Sequence, residues 1–232
     1  MAGRRRPKAR RRRAATPRHE ARPAARKTTR HARTARKGVR AAHPPAAPAR
    51  RRASSEAAKL GAALAAETDV TRGLERLLSA ARKVTRAEAG TVYVRRGESL
   101  EFAAVQNDLL ARRVGEDEVR RRVGTRPLPL GENSIASYVL LTRSTVNLRD
   151  AYEIPVDRPY TLFREVDRNT DYRTRSMLAM PLRNGGGHVF GVLQLINALD
   201  GRGAVRAFSL DEQRVVQELA AQTARLPGVS AG

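Results

Sequence analysis

Several groups of side chains in this sequence are of types that could meet a ligand. Gly131, Glu132, Asn133 and Ser134 stand before an apolar run and read as the start of a helix. The free N–H groups and dipole of such a start could receive a phosphate or another anion. Ordinary capping by Asn133 or Ser134 would call for the same residues. Tyr152, Phe163 and Tyr172 could sandwich a planar ring, or they could serve core packing. Thr170, Arg173 and Thr174 could hydrogen-bond a purine or a phosphate, or simply bond a loop and a strand edge. Asp150, Asp167 and Asp171 share that stretch but have no partner nucleophile and no metal-like spacing, so they read as loop caps. His188 follows a glycine-rich turn and reads as an exposed strand start. There is no phosphate-loop lysine motif, no paired histidine and no serine elbow. The chain has no cysteine. That excludes disulfides, a thiolate nucleophile, Cys-ligated zinc or iron–sulfur clusters and thioether-linked chromophores. No catalytic activity and no resident cofactor or metal are therefore expected.

Charge divides the 232 residues into two objects. The chain carries 46 Lys and Arg against 23 Asp and Glu, a net charge of +23. Residues 1–52 hold 20 of those cations and one acid, Glu20, so the remaining 180 residues are nearly balanced. The first 52 residues contain no Leu, Ile, Phe, Tyr or Trp. Such a segment cannot bury enough apolar surface to offset its ordering entropy, so it is expected to be a disordered Arg/Ala/Pro-rich arm. Its arginines would attract any polyanion without sequence specificity. Nonspecific binding of nucleic acid or acidic surfaces, organelle targeting, a plain solvated tail, or sequence translated upstream of the true start all fit that composition. His19, His31 and His43 lie in the arm at spacings of twelve with no scaffold to make a metal site. No apolar run approaches the roughly 18–20 residues of a membrane span, and no secretory signal is present, so a cytoplasmic location is expected.

The body, residues 53–228, supplies the elements that must position the candidate side chains. Residues 53–66 are Ala-rich and helix-favouring. Thr68 or Asp69 can cap a second helix on which Val70, Leu74, Leu77, Leu78, Ala81 and Val84 fall at helical spacing. Gly90 ends this helical region, and residues 91–106 read as a hairpin about a turn at Gly97. Residues 108–114 suit a short helix, residues 115–123 are highly charged and irregular, and Pro127 and Pro129 break what precedes Gly131. A helix then carries Ile135, Tyr138, Val139, Leu140 and Leu141. A short strand at residues 146–148 and a loop with a short helix containing Phe163 follow. Strands at 177–182 and 189–196 flank the Asn184–Gly185–Gly186–Gly187 turn. Ser209 and Glu212 form a capping box before a last amphipathic helix. This order gives an α+β fold. Its antiparallel sheet has five or six strands, with helices from the two chain ends on one face and the middle insertion over a pocket on the other.

Arg173–Thr174–Arg175–Ser176–Met177–Leu178, then Pro181–Leu182, then Val189–Phe190–Gly191–Val192–Leu193–Gln194–Leu195–Ile196–Asn197 closely resemble the GAF domain. Ile135–Ala136–Ser137–Tyr138–Val139, Asn147–Leu148 and Asp150–Ala151–Tyr152 fit the same family upstream, so the likeness spans about residues 68–226. The resemblance is to GAF domains of cyclic-nucleotide phosphodiesterases and bacterial signalling proteins, and it implies a GAF/PAS-like sheet. It also implies a stand-alone sensory module that binds a small molecule, with cyclic nucleotide a candidate, and signals through a partner protein. A homodimer through helices 54–84 and 209–225 is implied likewise. So is a ligand site drawn from Asn133, Ser134, Ile135, Ala136, Tyr152, Phe163, Thr170, Tyr172, Arg173, Thr174 and Asn197. The other implication is a dimerisation scaffold with a vestigial pocket. Cyclic-nucleotide-binding members carry Asn-Lys, a spacer, Phe, three residues and Asp-Glu. Here Ala198 follows Asn197, and Glu212–Gln213 follow Phe208, so that Lys–Asp latch cannot form. Free-methionine-sulfoxide reductases of the family need cysteines, which excludes their activity.

Overall fold

The computed structural model describes residues 47–123, 126–226 and 229, all within the second of two units of the chain, His43–Gly232. Of the arm expected over residues 1–52, residues 1–46 lie outside the described residues. Its boundary moves: residues 47–52 open helix α1 (Ala47–Ala65). Pro48 is tolerated there because first-turn N–H groups have no intrahelical partner in any case.

Three helices cover one face of the sheet. In α1, Ala57, Leu60 and Leu64 recur at three and four residues and are buried. Helix α2 (Val70–Thr85) starts at Asp69, whose carboxylate accepts from the Arg72 N–H at 3.2 Å. It buries Leu74, Leu77, Leu78 and Ala81 along one stripe. Ser209 and Glu212 form the expected capping box at the start of α7 (Leu210–Ala221), which buries Val216, Leu219 and Ala220. These stripes meet the sheet residues Val92, Leu178, Met180, Leu182, Leu193 and Leu195 in one apolar core.

The strands are β1 (Ala87–Arg96), β2 (Ser99–Asn107), β3 (Leu128–Pro129), β4 (Val146–Leu148), β5 (Met177–Arg183), β6 (Val189–Leu199) and β7 (Val205–Arg206). They pair antiparallel in the order β3-β2-β1-β6-β5-β4, with β7 added on β6. The six-stranded path is the expected sheet. The two-residue β7 makes seven strands, too short a piece to show in a periodicity of two. Pro129, read as a breaker, sits in the edge strand β3, where one lost ladder donor is tolerated.

Three further readings are corrected. Gly90 does not stop a helix; it lies inside β1, where a Cβ would come within 2.7 Å of Leu78 and 2.8 Å of the Gln194 carbonyl oxygen. Residues 115–123 are not irregular: α4 (Glu116–Val123) has acids in its first turn, arginines in its last and Val119 buried. The short helix expected around Phe163 begins two residues later, as α6 (Glu165–Thr170), and leaves Phe163 partly exposed. Helices α3 (Asp108–Val114) and α5 (Ile135–Thr142) form where expected.

The period of two sorts β6 cleanly. Leu193 and Leu195 face the helices, whereas Val192, Gln194 and Ile196 face the opposite side. There a second core forms from Ile135, Ala136 and Val139 of α5 with Tyr93, Met177, Ala179 and Val192. A third, smaller cluster joins Ala89, Leu110, Val119 and Tyr172. The middle excursion thus rests on the sheet through two separate contacts, and a cavity lies between them.

Candidate ligand-binding site

The cavity measures about 140 Å³. Its floor is the sheet: Thr91 and Tyr93 of β1, Gln194 and Ile196 of β6, and Met177 of β5. Thr91 pairs directly with Gln194 across β1 and β6, so their side chains stand together on that floor. Burial pushes the Tyr93 phenol up, and the neighbouring Thr91 side chain partly offsets this. One wall is the first turn of α5, with Ser134, Ile135 and Ala136. The Ser134 hydroxyl accepts from the Ser137 N–H at 3.0 Å and donates to the Ser137 hydroxyl at 2.8 Å. The roof is residues 161–163 together with Val166 and Asp167 of α6. It is tied to the wall where the Thr161 N–H donates to the Asn133 carbonyl at 2.8 Å.

Asp167 holds the roof down. It is almost fully buried and accepts three hydrogen bonds: from the Thr174 N–H at 2.7 Å, the Thr174 hydroxyl at 2.8 Å and the Tyr152 hydroxyl at 2.9 Å. Burial and the Asp167 carboxylate both raise the Tyr152 phenol. A second polar cluster closes the side beneath Tyr172. The Tyr172 hydroxyl donates to Glu88 at 2.7 Å, and the Asn197 amide donates to Glu88, to the Tyr172 oxygen and to the Arg173 carbonyl at 2.9–3.0 Å. Asn197 is in the left-handed region at φ 57°, and its carbonyl accepts from the Arg175 N–H at 2.8 Å. Burial is the main cause of an upward shift of the Tyr172 phenol, and Glu88 adds to it.

Of the residues expected at the site, Ser134, Ile135, Ala136, Phe163, Tyr172 and Thr174 line the cavity. Five stand behind it. Asn133 braces Thr161 through its backbone, Thr170 donates to the Val166 carbonyl at 2.6 Å, and Asn197 props Tyr172. Tyr152 and Arg173 sit outside the roof. The three aromatics do not form a sandwich around the cavity, because the Tyr152 ring is already taken: Arg164 lies 4.4 Å and Arg173 4.3 Å from its centroid. Sequence reasoning missed Thr91, Tyr93 and Gln194. Gln194 had a signal, a lone amide in the otherwise apolar run Val192–Leu193–Gln194–Leu195–Ile196.

Among the described residues, Asp167 is the only charged side chain in the lining, with no Lys, Arg or His. At the place of the family's latch, Ala198 is fully buried. Glu212 is engaged elsewhere, bidentate with Arg206 at 2.6 and 2.7 Å and capping Ser209. Gln213 accepts from the Asn147 amide at 3.1 Å.

The family model for the GAF domain matches residues 69–226, which takes in the sheet, α2, α7 and the excursion that roofs the cavity. The chain belongs to the GAF domain family. GAF domains are sensory and regulatory modules. This one shares 36% identity over 94 residues with a dual 3',5'-cyclic-AMP and -GMP phosphodiesterase 11A of Takifugu rubripes, 40% of this chain and 9% of that protein. It shares 30% over 121 residues with a cGMP-specific 3',5'-cyclic phosphodiesterase of Drosophila virilis, 51% of this chain and 13% of that protein. The chain thus spans about a tenth of the length of these relatives. In fold it is similar to a putative GAF sensor protein from Burkholderia vietnamiensis, with a TM-score of 0.56 at 14% identity over 76% of this chain and 93% of that one. A free methionine-R-sulfoxide reductase from Neisseria meningitidis is similar in fold at 0.55 and 15% identity, over 81% and 94% of the two chains. Among the described residues of this GAF domain, no helix is long and apolar enough to cross a membrane.

Proposed function

We propose that this GAF domain is a receptor. It binds a small molecule in the cavity between the sheet and the α5–α6 excursion and relays occupancy to a partner protein that carries the output. The observation that carries the proposal is the cavity itself. Its mostly apolar lining has a few converging polar groups, the pattern of small-molecule sites. Ser134, Ile135, Ala136, Phe163, Tyr172 and Thr174 would touch the ligand. Asn133, Tyr152, Thr170, Arg173 and Asn197 would hold those residues in place. The relatives' names put cyclic nucleotides among the ligands to try. With no cation among the described residues of the lining, the phosphate would be met by the N–H groups at the start of α5. The test is thermal melting with cyclic AMP, cyclic GMP and small metabolites. A ligand at about 100 times its Kd adds ~2.7 kcal/mol, a shift of several degrees for a domain of this size. A melting temperature indifferent to every compound would refute the receptor.

The scaffold reading makes a different use of the terminal helices. The homodimer would be built from the outer faces of α1, α2 and α7, because their apolar stripes are already spent within the chain. Light scattering that finds a monomer at high micromolar concentration would refute it. The basic residues 1–52 would add nonspecific, salt-sensitive attachment to nucleic acid or acidic surfaces in the cytoplasm. Binding retained after their deletion would contradict that role.

A further inference from the structure

The cavity's own chemistry narrows its ligand. Gln194 is 7% exposed, more than nine-tenths buried, and lines the cavity floor. Among the described residues its amide has no hydrogen-bond partner, yet neither of its polar atoms is sealed from the open space. An amide that faces open space and makes no bond within the protein is free to engage a matching ligand in place of water. An amide offers a donor pair and an acceptor side by side, so its complement is another amide-type edge, one donor beside one acceptor. Next to it, the Thr91 hydroxyl and the Tyr93 phenol add further polar points on the same floor.

Charge and size set the remaining limits. The only charged group in the lining among the described residues, Asp167, already accepts three hydrogen bonds and is itself an anion. Among the described residues a ligand carboxylate would therefore find no cation, only the N–H groups at the start of α5, with a carboxylate nearby, which is less favourable than for an uncharged ligand. The volume, about 140 Å³, is that of one ring. A cavity of ~150 Å³ walled by aliphatic side chains and Phe holds one benzene. The walls here are Phe102, Leu110, Ile135, Met177 and Ile196, flat or aliphatic surfaces suited to a ring.

We infer that this pocket, on the receptor reading above, takes a single-ring, uncharged ligand bearing a carboxamide-type edge, which the Gln194 side chain reads. The probes are benzamide, its anionic counterpart benzoate, and toluene, which lacks the polar edge. Each is titrated into the full chain by calorimetry, with the Gln194 side-chain NH₂ resonance followed by NMR. Benzamide should bind and move that resonance, and benzoate should bind at least about tenfold more weakly. Gln194→Met, close in shape and apolar, should weaken benzamide by a similar factor while leaving toluene unchanged. The wild-type contrast of benzamide with benzoate needs no variant, so a poorly folding Gln194→Met would not spare the inference. Benzoate binding as well as benzamide would overturn it, as would benzamide binding that ignores Gln194→Met. Toluene binding alone, or a melting shift with cyclic GMP and none with benzamide, would overturn it while leaving the receptor standing. Failure of the three ring probes would overturn it, and their failure together with cyclic AMP, cyclic GMP and the small metabolites would overturn both.

Discussion

Removing the Asp167 carboxylate should loosen the roof of the cavity more than any other single polar change. Asp167→Ala leaves the Thr174 N–H and hydroxyl without partners at a buried position and frees the half-buried Tyr152 hydroxyl. Hydrogen bonds to a charged acceptor contribute about 1.5–3 kcal/mol each, and an orphaned buried donor costs about 1–3 kcal/mol. Against this stands relief of the cost of burying a carboxylate that has no direct ion-pair partner among the described residues. The Tyr152 hydroxyl can turn to water, so a net loss of about 2–4 kcal/mol is expected, carried mainly by Thr174. Asp167→Asn should cost about half as much. Its carbonyl oxygen can take the place that serves both the Thr174 N–H and Tyr152, while its NH₂ faces a Thr174 hydroxyl able to turn and accept. Urea unfolding measures both variants, and hydrogen exchange over residues 165–174 shows whether the roof opens locally. An Asp167→Ala variant within 1 kcal/mol of wild type, or an Asn variant as damaging as Ala, would refute the assignment of Asp167 as the anchor.

Other expectations follow from the same geometry. The Arg82 guanidinium binds the Ala87 and Glu88 carbonyls, the Gln106 amide oxygen and Asp108, at 2.6–3.3 Å. Arg82→Lys should therefore lower the stability measured by urea unfolding by about 1–2 kcal/mol, because an ammonium cannot span that fork; an unchanged midpoint would contradict it. A Cβ on Gly191 would strike the Tyr93 carbonyl oxygen across the β1–β6 pair. Gly191→Ala should thus destabilise by about 1–3 kcal/mol in chemical denaturation, and a neutral result would mean the strands can part. Tyr93 and Tyr172 have phenols raised by burial, so the folded state holds those protons more tightly than the unfolded chain. Their contribution is whole below the ordinary phenol value of about 10 and is lost as pH rises past it. Alkaline titration should show their phenolate absorbance appearing together with unfolding; ionisation of both in a still-folded protein would sink that reading. Ala136→Phe should fill the cavity and abolish any ligand-induced melting shift, and a shift that survives would place the ligand elsewhere.

The helices that cover the sheet were legible because their signals are local. Asp69 and the Ser209–Glu212 box cap as read, and the stripes of α2 and α7 repeat at three and four residues. What escaped depends on contacts distant in sequence. Gly90 looks like a breaker until Leu78 and the Gln194 backbone are seen against it. Helix α4 hides because one buried residue, Val119, leaves almost no apolar period. At the site, the α5 turn was readable as a helix start, since Ser134 caps its own neighbours. Tyr152 misled for a physical reason: an aromatic ring between two arginines serves the surface as readily as a ligand. Asn197 drew notice as part of a ligand motif, yet its left-handed backbone and its hydrogen bonds to Glu88 and Tyr172 make it a brace. Thr91 and Gln194 come together only through the β1–β6 register, which no local pattern encodes.

Methyl-resolved NMR of the full chain during titration with one-ring compounds bears most directly on the receptor cavity. Ile135, Met177 and Ile196 line it, whereas Leu74, Leu77 and Leu219 lie in the core on the other side of the sheet. Saturable shifts in the first three methyl groups, with the second three still, are the expected result. Shifts confined to the helical side, or methyls that no compound moves, would show that the space under the roof is not where this GAF domain receives its signal.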